Sequence, residues 1–213
     1  MKLTVISDIH GLFNNLILKK GETLIIAGDF SIEGQEEEFK RFIKWLDKQK
    51  FKNKIVVGGN HDGYIYNNEK AKQKLKQYCI YLENEGTKLN NINFWGSPYT
   101  PRFNYWFFMK ERGKELKENW DLVPNNTNVL IGHGMPYGIL DNTSYPNGDI
   151  GQNVGDFDLL NKIKHLSNLK IYIGGHLHLN GGKIYIKNNI QFINASVVNE
   201  DYELTNKPII IEI

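Results

Sequence analysis

Aspartate, histidine and asparagine side chains at five places in this chain have the chemistry to hold divalent cations. The places are Asp8-Ile9-His10, Asp29, Asn60-His61-Asp62, His133 and His176-Leu177-His178. Five of the six histidines fall in them, and His165, on a helix face, is assigned no role. The donors are oxygen and nitrogen without thiolate, a set that suits manganese, iron, cobalt, nickel or zinc better than a structural zinc finger. Asp8, His10, Asp29, Asn60, His133, His176 and His178 exceed what one tetrahedral ion takes, so two ions are expected. Two ions ~3.5–4 Å apart are the usual arrangement for in-line displacement at phosphorus, where they hold phosphate oxygens and acidify a water between them. His61 is the expected general acid, protonating the leaving alkoxide, a step worth roughly 10²–10⁴ in rate. Asp62 is expected to orient it.

Donors so far apart in sequence need a scaffold, and each place directly follows an apolar run. Leu3-Thr4-Val5-Ile6-Ser7 leads to Asp8, and Thr23-Leu24-Ile25-Ile26-Ala27-Gly28 leads to Asp29. Ile55-Val56-Val57-Gly58-Gly59 leads to Asn60, Val129-Leu130-Ile131-Gly132 to His133, and Ile171-Tyr172-Ile173-Gly174-Gly175 to His176. Runs of this kind read as buried strands, and open α/β sheets place their ligands at the rim where such strands end. In Asp8-x-His10 and His176-x-His178 an extended backbone would turn both polar side chains to one face, with Ile9 and Leu177 away from it. Singly, each place has a plainer reading: a strand-end aspartate is most often a turn or cap residue. Their combination points to one site.

A chain of 213 residues is expected to form one domain over 1–213, with no linker. The pattern from residue 2 to 60 is strand, short helix, strand, helix, strand, that of a layered α/β fold. Helices are expected at Gln35 to Gln49, Glu69 to Tyr78, Lys110 to Asn119 and Phe157 to Leu166, and a hairpin turn at Asn188-Asn189. Residues 132 to 156 read as one long loop, of the kind usually tied to function. The aromatics from Trp95 to Trp120 either pack a core or stack a nucleobase beside a phosphate site. The lysines of the second helix read as a solvated face rather than a phosphate-backbone patch.

A net charge of +2 is too small to argue for nucleic acid or a membrane surface as partner. The single cysteine, Cys79, fits a reducing compartment. The apolar start stops at Asp8, before a signal-peptide core forms, and no window approaches the ~20 apolar residues of a membrane span, so a cytoplasmic protein is expected. Without a secretion signal, the Asn-x-Ser/Thr triplets at Asn125, Asn142 and Asn194 read as chance matches.

Asp8-Ile9-His10, Gly28-Asp29, Gly59-Asn60-His61-Asp62, Gly132-His133 and Gly175-His176-Leu177-His178 resemble, in order, the five sequence blocks of the calcineurin-like metallophosphoesterase superfamily. Phe94-Trp95-Gly96-Ser97-Pro98-Tyr99-Thr100-Pro101 and Phe192-Ile193-Asn194-Ala195-Ser196 are similar to its small metallophosphoesterase-domain-containing, brain protein 239-like group. Met135 departs from that group, which usually has proline after His-Gly. The resemblance implies a four-layer α/β-β/α sandwich of two mixed sheets flanked by helices. It assigns Asp8, His10 and His178 to one ion, Asn60, His133 and His176 to the other, and Asp29 to both. It also implies a phosphodiesterase, often manganese-activated, that hydrolyses cyclic nucleotides or other small diesters by attack of a bridging hydroxide. Only Arg41, Arg102 and Arg112 are available to clamp a dianion, which disfavours monoesters. A nuclease, a phosphomonoesterase and a non-catalytic metal- or nucleotide-binding module stand as alternatives.

Overall fold

Alternation of side chains along the apolar strands sets up the layers. The computed structural model describes residues 1–144 and 150–213. In chain order these form β1 (Lys2–Ile6), β2 (Gly21–Ala27), α1 (Glu36–Asp47), β3 (Phe51–Val57), α2 (Glu69–Leu75), β4 (Ile80–Tyr81), β5 (Glu85–Leu89), β6 (Ile92–Gly96), β7 (Thr100–Pro101) and β8 (Met109–Lys110). Then follow α3 (Lys114–Asp121), β9 (Val129–Ile131), β10 (Asn142–Ser144), β11 (Ile150–Asn153), α4 (Phe157–Lys164), β12 (Ile171–Gly174), β13 (Lys183–Lys187), β14 (Ile190–Asn194) and β15 (Ile209–Glu212).

One sheet has the order β15-β1-β2-β3-β4 and a second the order β13-β14-β12-β9-β6-β5. β1, β2, β3 and β4 run parallel, with β15 antiparallel at the edge. β14, β12, β9 and β6 run parallel, with β13 and β5 antiparallel at the two edges. Leu3, Val5, Ile25, Ala27, Ile55 and Val57 of the first sheet share one buried layer with Val129, Ile131, Ile171, Ile173 and Ile193 of the second. Their neighbours in sequence face outward. Leu24, Ile26 and Val56 meet Phe39, Phe42, Leu46 and Leu75 of α1 and α2. Leu130 and Tyr172 meet Leu116, Trp120, Leu159 and Ile163 of α3 and α4. The result is the expected four-layer α/β-β/α sandwich. At roughly 1.5–3 kcal/mol for each fully buried aliphatic side chain, packing between the layers outweighs any one polar contact and fixes the strand ends.

The helix expected from Gln35 begins at Glu36, and the Asn188-Asn189 turn has the positive φ values, 51° and 61°, that a two-residue hairpin of this type needs. The helix expected from Lys110 starts at Lys114 instead. Met109 and Lys110 pair with Thr100 and Pro101 as β8 and β7, and Gly113 at φ +84° turns the chain before the first helical turn. The loop expected over 132 to 156 contains the antiparallel pair β10 and β11; its part at 145–149 lies outside the described residues. Lys70, Lys74 and Lys76 are exposed, as a solvated face requires, whereas Lys72 is largely covered and pairs with Glu83 at 2.8 Å. No helix among the described residues is long and apolar enough to cross a membrane.

Candidate metal centre

The expected donors all lie at carboxyl ends of parallel strands. Asp8 and His10 follow β1, Asp29 follows β2 and Asn60, His61 and Asp62 follow β3; His133 follows β9, and His176 and His178 follow β12. The local geometry differs from the extended backbone expected at Asp8-x-His10 and His176-x-His178. Asp8, His10, Asp29 and His176 have φ values of 54°, 43°, 53° and 67°, in the left-handed region that costs roughly 1–2 kcal/mol per non-glycine residue. Pairing of β1 with β2 stops at Ile6, and Asp8 N–H and His10 N–H donate instead to Gly28 O and Asp29 O, both at 3.0 Å, as the chain turns. Ile9 still points into the core, as expected. Gly59 and Gly175 are required by close approach: a Cβ on Gly59 would lie 2.3 Å from Asp29 Oδ1, and one on Gly175 2.2 Å from Asp8 Oδ2.

Two donor sets result. In the first, His178 Nε2 is 3.4 Å from Asp8 Oδ1 and 3.3 Å from His10 Nε2. In the second, His133 Nε2 is 3.1 Å from Asp29 Oδ2 and 3.0 Å from Asn60 Oδ1, with His176 completing the set. Asp29 Oδ2 also lies 3.9 Å from His10 Nε2, between the two sets, and His10, Asp29 and His61 make a third overlapping group. His165 is exposed at the end of α4, apart from all of them.

The donor chemistry fits cations. His10 Nδ1 lies 3.0 Å from Ser31 O and His133 Nδ1 2.9 Å from Ala27 O. A carbonyl only accepts, so each Nδ1 carries the proton and turns the lone pair of Nε2 toward the carboxylates, the usual way a ligating histidine is fixed. Around His133, three acceptors, Nε2, Asn60 Oδ1 and Asp29 Oδ2, therefore face one another. A proton or a cation must lie between them. The buried Asn60 Nδ2 has no hydrogen-bond partner either. Burial opposes charge on His133, but the Asp29 carboxylate and its hydrogen bond lift the imidazole to about 9. Burial, then the charge of His133, push His176 down to about 3. Burial works against ionised Asp8, yet the hydrogen bond and charge of His178 carry it down to about 2. Asp29 is held below the usual carboxylate range: the attraction of His133 overrides the larger cost of burial only with help from its hydrogen bond and from His61 and His10.

Asp62 corrects an expectation. Its carboxylate does not reach the His61 ring; it accepts from the backbone N–H groups of Gly59 at 2.8 Å, Asp29 at 2.9 Å and Ser31 at 3.0 Å. It ties the loop after β2 to the loop after β3. Burial and the neighbouring Asp29 charge push its carboxyl well above the usual range, against those N–H bonds. His61 is oriented by Ile32 O, 2.5 Å from Nδ1, and by its own N–H, which donates to Asp29 Oδ1 at 2.8 Å.

A cleft of about 490 Å³ opens over both sets, lined by Asp29, Asn60, His61, His176 and His178 among others. The Trp95 to Trp120 aromatics divide. Phe108 and Trp120 are core residues, while Phe103 and Trp106 line the cleft, Trp106 with its ring 4.0 Å from that of His61. Tyr202 also lines the cleft, its ring 4.7 Å from that of His10, and no sequence pattern points to it. It follows no strand and belongs to no motif; only its place beside the turn-forming Asn199 marks a loop.

A model of the calcineurin-like phosphoesterase family matches residues 1–180, which hold every donor named above. Human metallophosphoesterase domain-containing protein 1 is 30% identical over 100% of this chain and 71% of its own length. A UPF0046 protein of Caenorhabditis elegans is 31% identical over 99% of this chain and 74% of its own. Among solved structures, the phosphopantetheinyl hydrolase of Mycobacterium tuberculosis covers 94% of this chain and 90% of its own with a TM-score of 0.59 at 15% identity, a shared fold.

Proposed function

The chain belongs to the calcineurin-like phosphoesterase family, metal-dependent hydrolases of phosphate esters, and from that premise we propose a binuclear phosphodiesterase acting on small diesters, cyclic nucleotides included. The observation that carries the reading is Asp29, whose carboxylate stands between the Asp8, His10, His178 set and the Asn60, His133, His176 set. Asp8, His10 and His178 would hold one divalent ion and Asn60, His133 and His176 the other, with Asp29 available to both. Manganese is the proposed metal, with iron, cobalt, nickel and zinc as the alternatives this donor set accommodates. Bound there, the ions supply the charge that holds phosphate oxygens and acidifies a water for attack on phosphorus.

The protein's own groups do the rest. With Nδ1–H on Ile32 O, His61 keeps Nε2 as the nitrogen that takes and gives a proton in the cleft, and it protonates the departing alkoxide. Asp62 holds the two loops that carry Asp29 and His61 in register. The free Nδ2 of Asn60 is a donor for a phosphate oxygen. Preference for a diester rests on charge. Among the described residues the arginine lining the cleft is Arg112, and its Nη1 and Nη2 already donate to Gly155 O at 2.7 Å and Val154 O at 2.5 Å. No free guanidinium fork is left for the second charge of a monoester.

The test is turnover with Mn²⁺ on a chromogenic diester, a cyclic nucleotide and a monoester, with metal content measured in the same samples. Asp29→Asn is expected to lower diester turnover by about 10³-fold or more while circular dichroism stays unchanged. Full activity in that variant removes the proposed mechanism, and faster turnover of the monoester removes the diester preference.

A further inference from the structure

Among the described residues five aromatic side chains are exposed, Phe103, Tyr105, Phe157, Tyr185 and Tyr202, and of these Phe103 and Tyr202, at 43% and 44%, line the cleft. Each lies against a different donor set. The Phe103 ring is 5.3 Å from His176 of the Asp29 set, and the Tyr202 ring is 4.7 Å from His10 and 5.2 Å from His178 of the Asp8 set. Tyr202 is built into place at φ +60°, a strained value for tyrosine. Asn199 Oδ1 accepts from Asp201 N at 3.1 Å and Glu203 N at 2.9 Å, and Ser144 Oγ at the end of β10 donates to Glu200 Oε1 at 2.6 Å. One side of each ring packs on these histidines, and the rest is open to the cleft. Its use is to receive another flat group.

Resting on the phosphodiesterase reading, we infer that Phe103 and Tyr202 are two aromatic platforms, one on each side of the phosphate. The preferred substrate is then a linear diester with a planar aryl or nucleoside group on both arms. A cyclic nucleotide carries a single base and can use one platform. A linear diester uses both, and stacking on a protein ring is worth roughly tenfold or more in affinity for each flat group. The cleft volume of about 490 Å³ falls in the ~300–1,000 Å³ range of sites that take ligands of such size.

The test is calorimetric titration of the manganese-loaded protein with diphenyl, methyl phenyl and dimethyl phosphate and with a 3′,5′-cyclic nucleotide. Affinity is expected to rise about tenfold with each ring. Phe103→Leu and Tyr202→Leu should each bring diphenyl phosphate to the level of methyl phenyl phosphate, and Tyr202→Phe should restore it. The inference is overturned by equal affinity for the three diesters, by undetectable binding of diphenyl phosphate, by tighter binding of the cyclic nucleotide, or by variants that weaken dimethyl phosphate as much as diphenyl phosphate. Hydrolysis of bis(p-nitrophenyl) phosphate, followed separately, judges the underlying reading. Ring-dependent binding without turnover would sink the phosphodiesterase and leave the platforms; turnover without ring dependence would do the reverse.

Discussion

His61 meets the cleft through Nε2 because Ile32 O holds the proton on Nδ1. Its contribution should therefore depend on how much the leaving group needs a proton. His61→Gln is expected to lower kcat by about 10²–10⁴-fold for an alkoxide leaving group and by much less for p-nitrophenolate; equal losses on both esters would count against the acid role. His133 supplies a second expectation. Its imidazole is lifted from the ordinary 6.5 to about 9, so the charged form stabilises the metal-free protein below 6.5 and that contribution is lost as pH rises through about 9. A divalent ion competes with that proton. Manganese affinity should rise with pH by up to about tenfold per unit over this interval, with proton release measurable by calorimetry in buffers of different ionisation enthalpy. The donors were legible as residues because Asp, His and Asn recur at strand ends. The partner of Asp62 was not, because the N–H groups it binds belong to Gly59, Asp29 and Ser31, two of them on another loop.

At the scale of elements, α1 serves the site from outside it. Glu38 in its first turn accepts from the N–H groups of Ile32 at 3.0 Å, Glu33 at 3.1 Å and Gln35 at 3.0 Å. These bonds fix the loop whose Ile32 carbonyl orients His61. Glu38→Ala leaves these N–H groups without their acceptor and should lower stability by about 1–3 kcal/mol in chemical denaturation. Turnover of esters with poor leaving groups should fall with it; unchanged turnover would mean that His61 is held without Ile32. The span of α1 was readable from Phe39, Phe42, Ile43 and Leu46 at helical spacing, all of them buried. The start of α3 was not, since Met109 and Lys110 become a strand only by meeting Thr100 and Pro101.

At the scale of the molecule, the first sheet supplies Asp8, His10, Asp29 and Asn60, and the second supplies His133, His176 and His178. Ions held by both sheets would bind the folded state and find no such cage in the unfolded chain. Saturating Mn²⁺ should raise the thermal midpoint and chelation with EDTA lower it. At a free ion concentration 100 times Kd the gain is about 2.7 kcal/mol. A midpoint indifferent to both would show that the donors do not share ions across the sheets.

The strand-end donors, the inward and outward faces of the strands and the layered α/β fold followed from the sequence, because apolar periodicity and residue type are local properties. The family resemblance implied the place of Asp29 between the two sets, whereas tertiary structure alone decided that Asp62 binds backbone rather than His61, and that Phe103 and Tyr202 open onto the cleft while Phe108 is buried. Each of these depends on segments remote in sequence being brought together by packing, and no local pattern encodes which remote neighbour a side chain will meet.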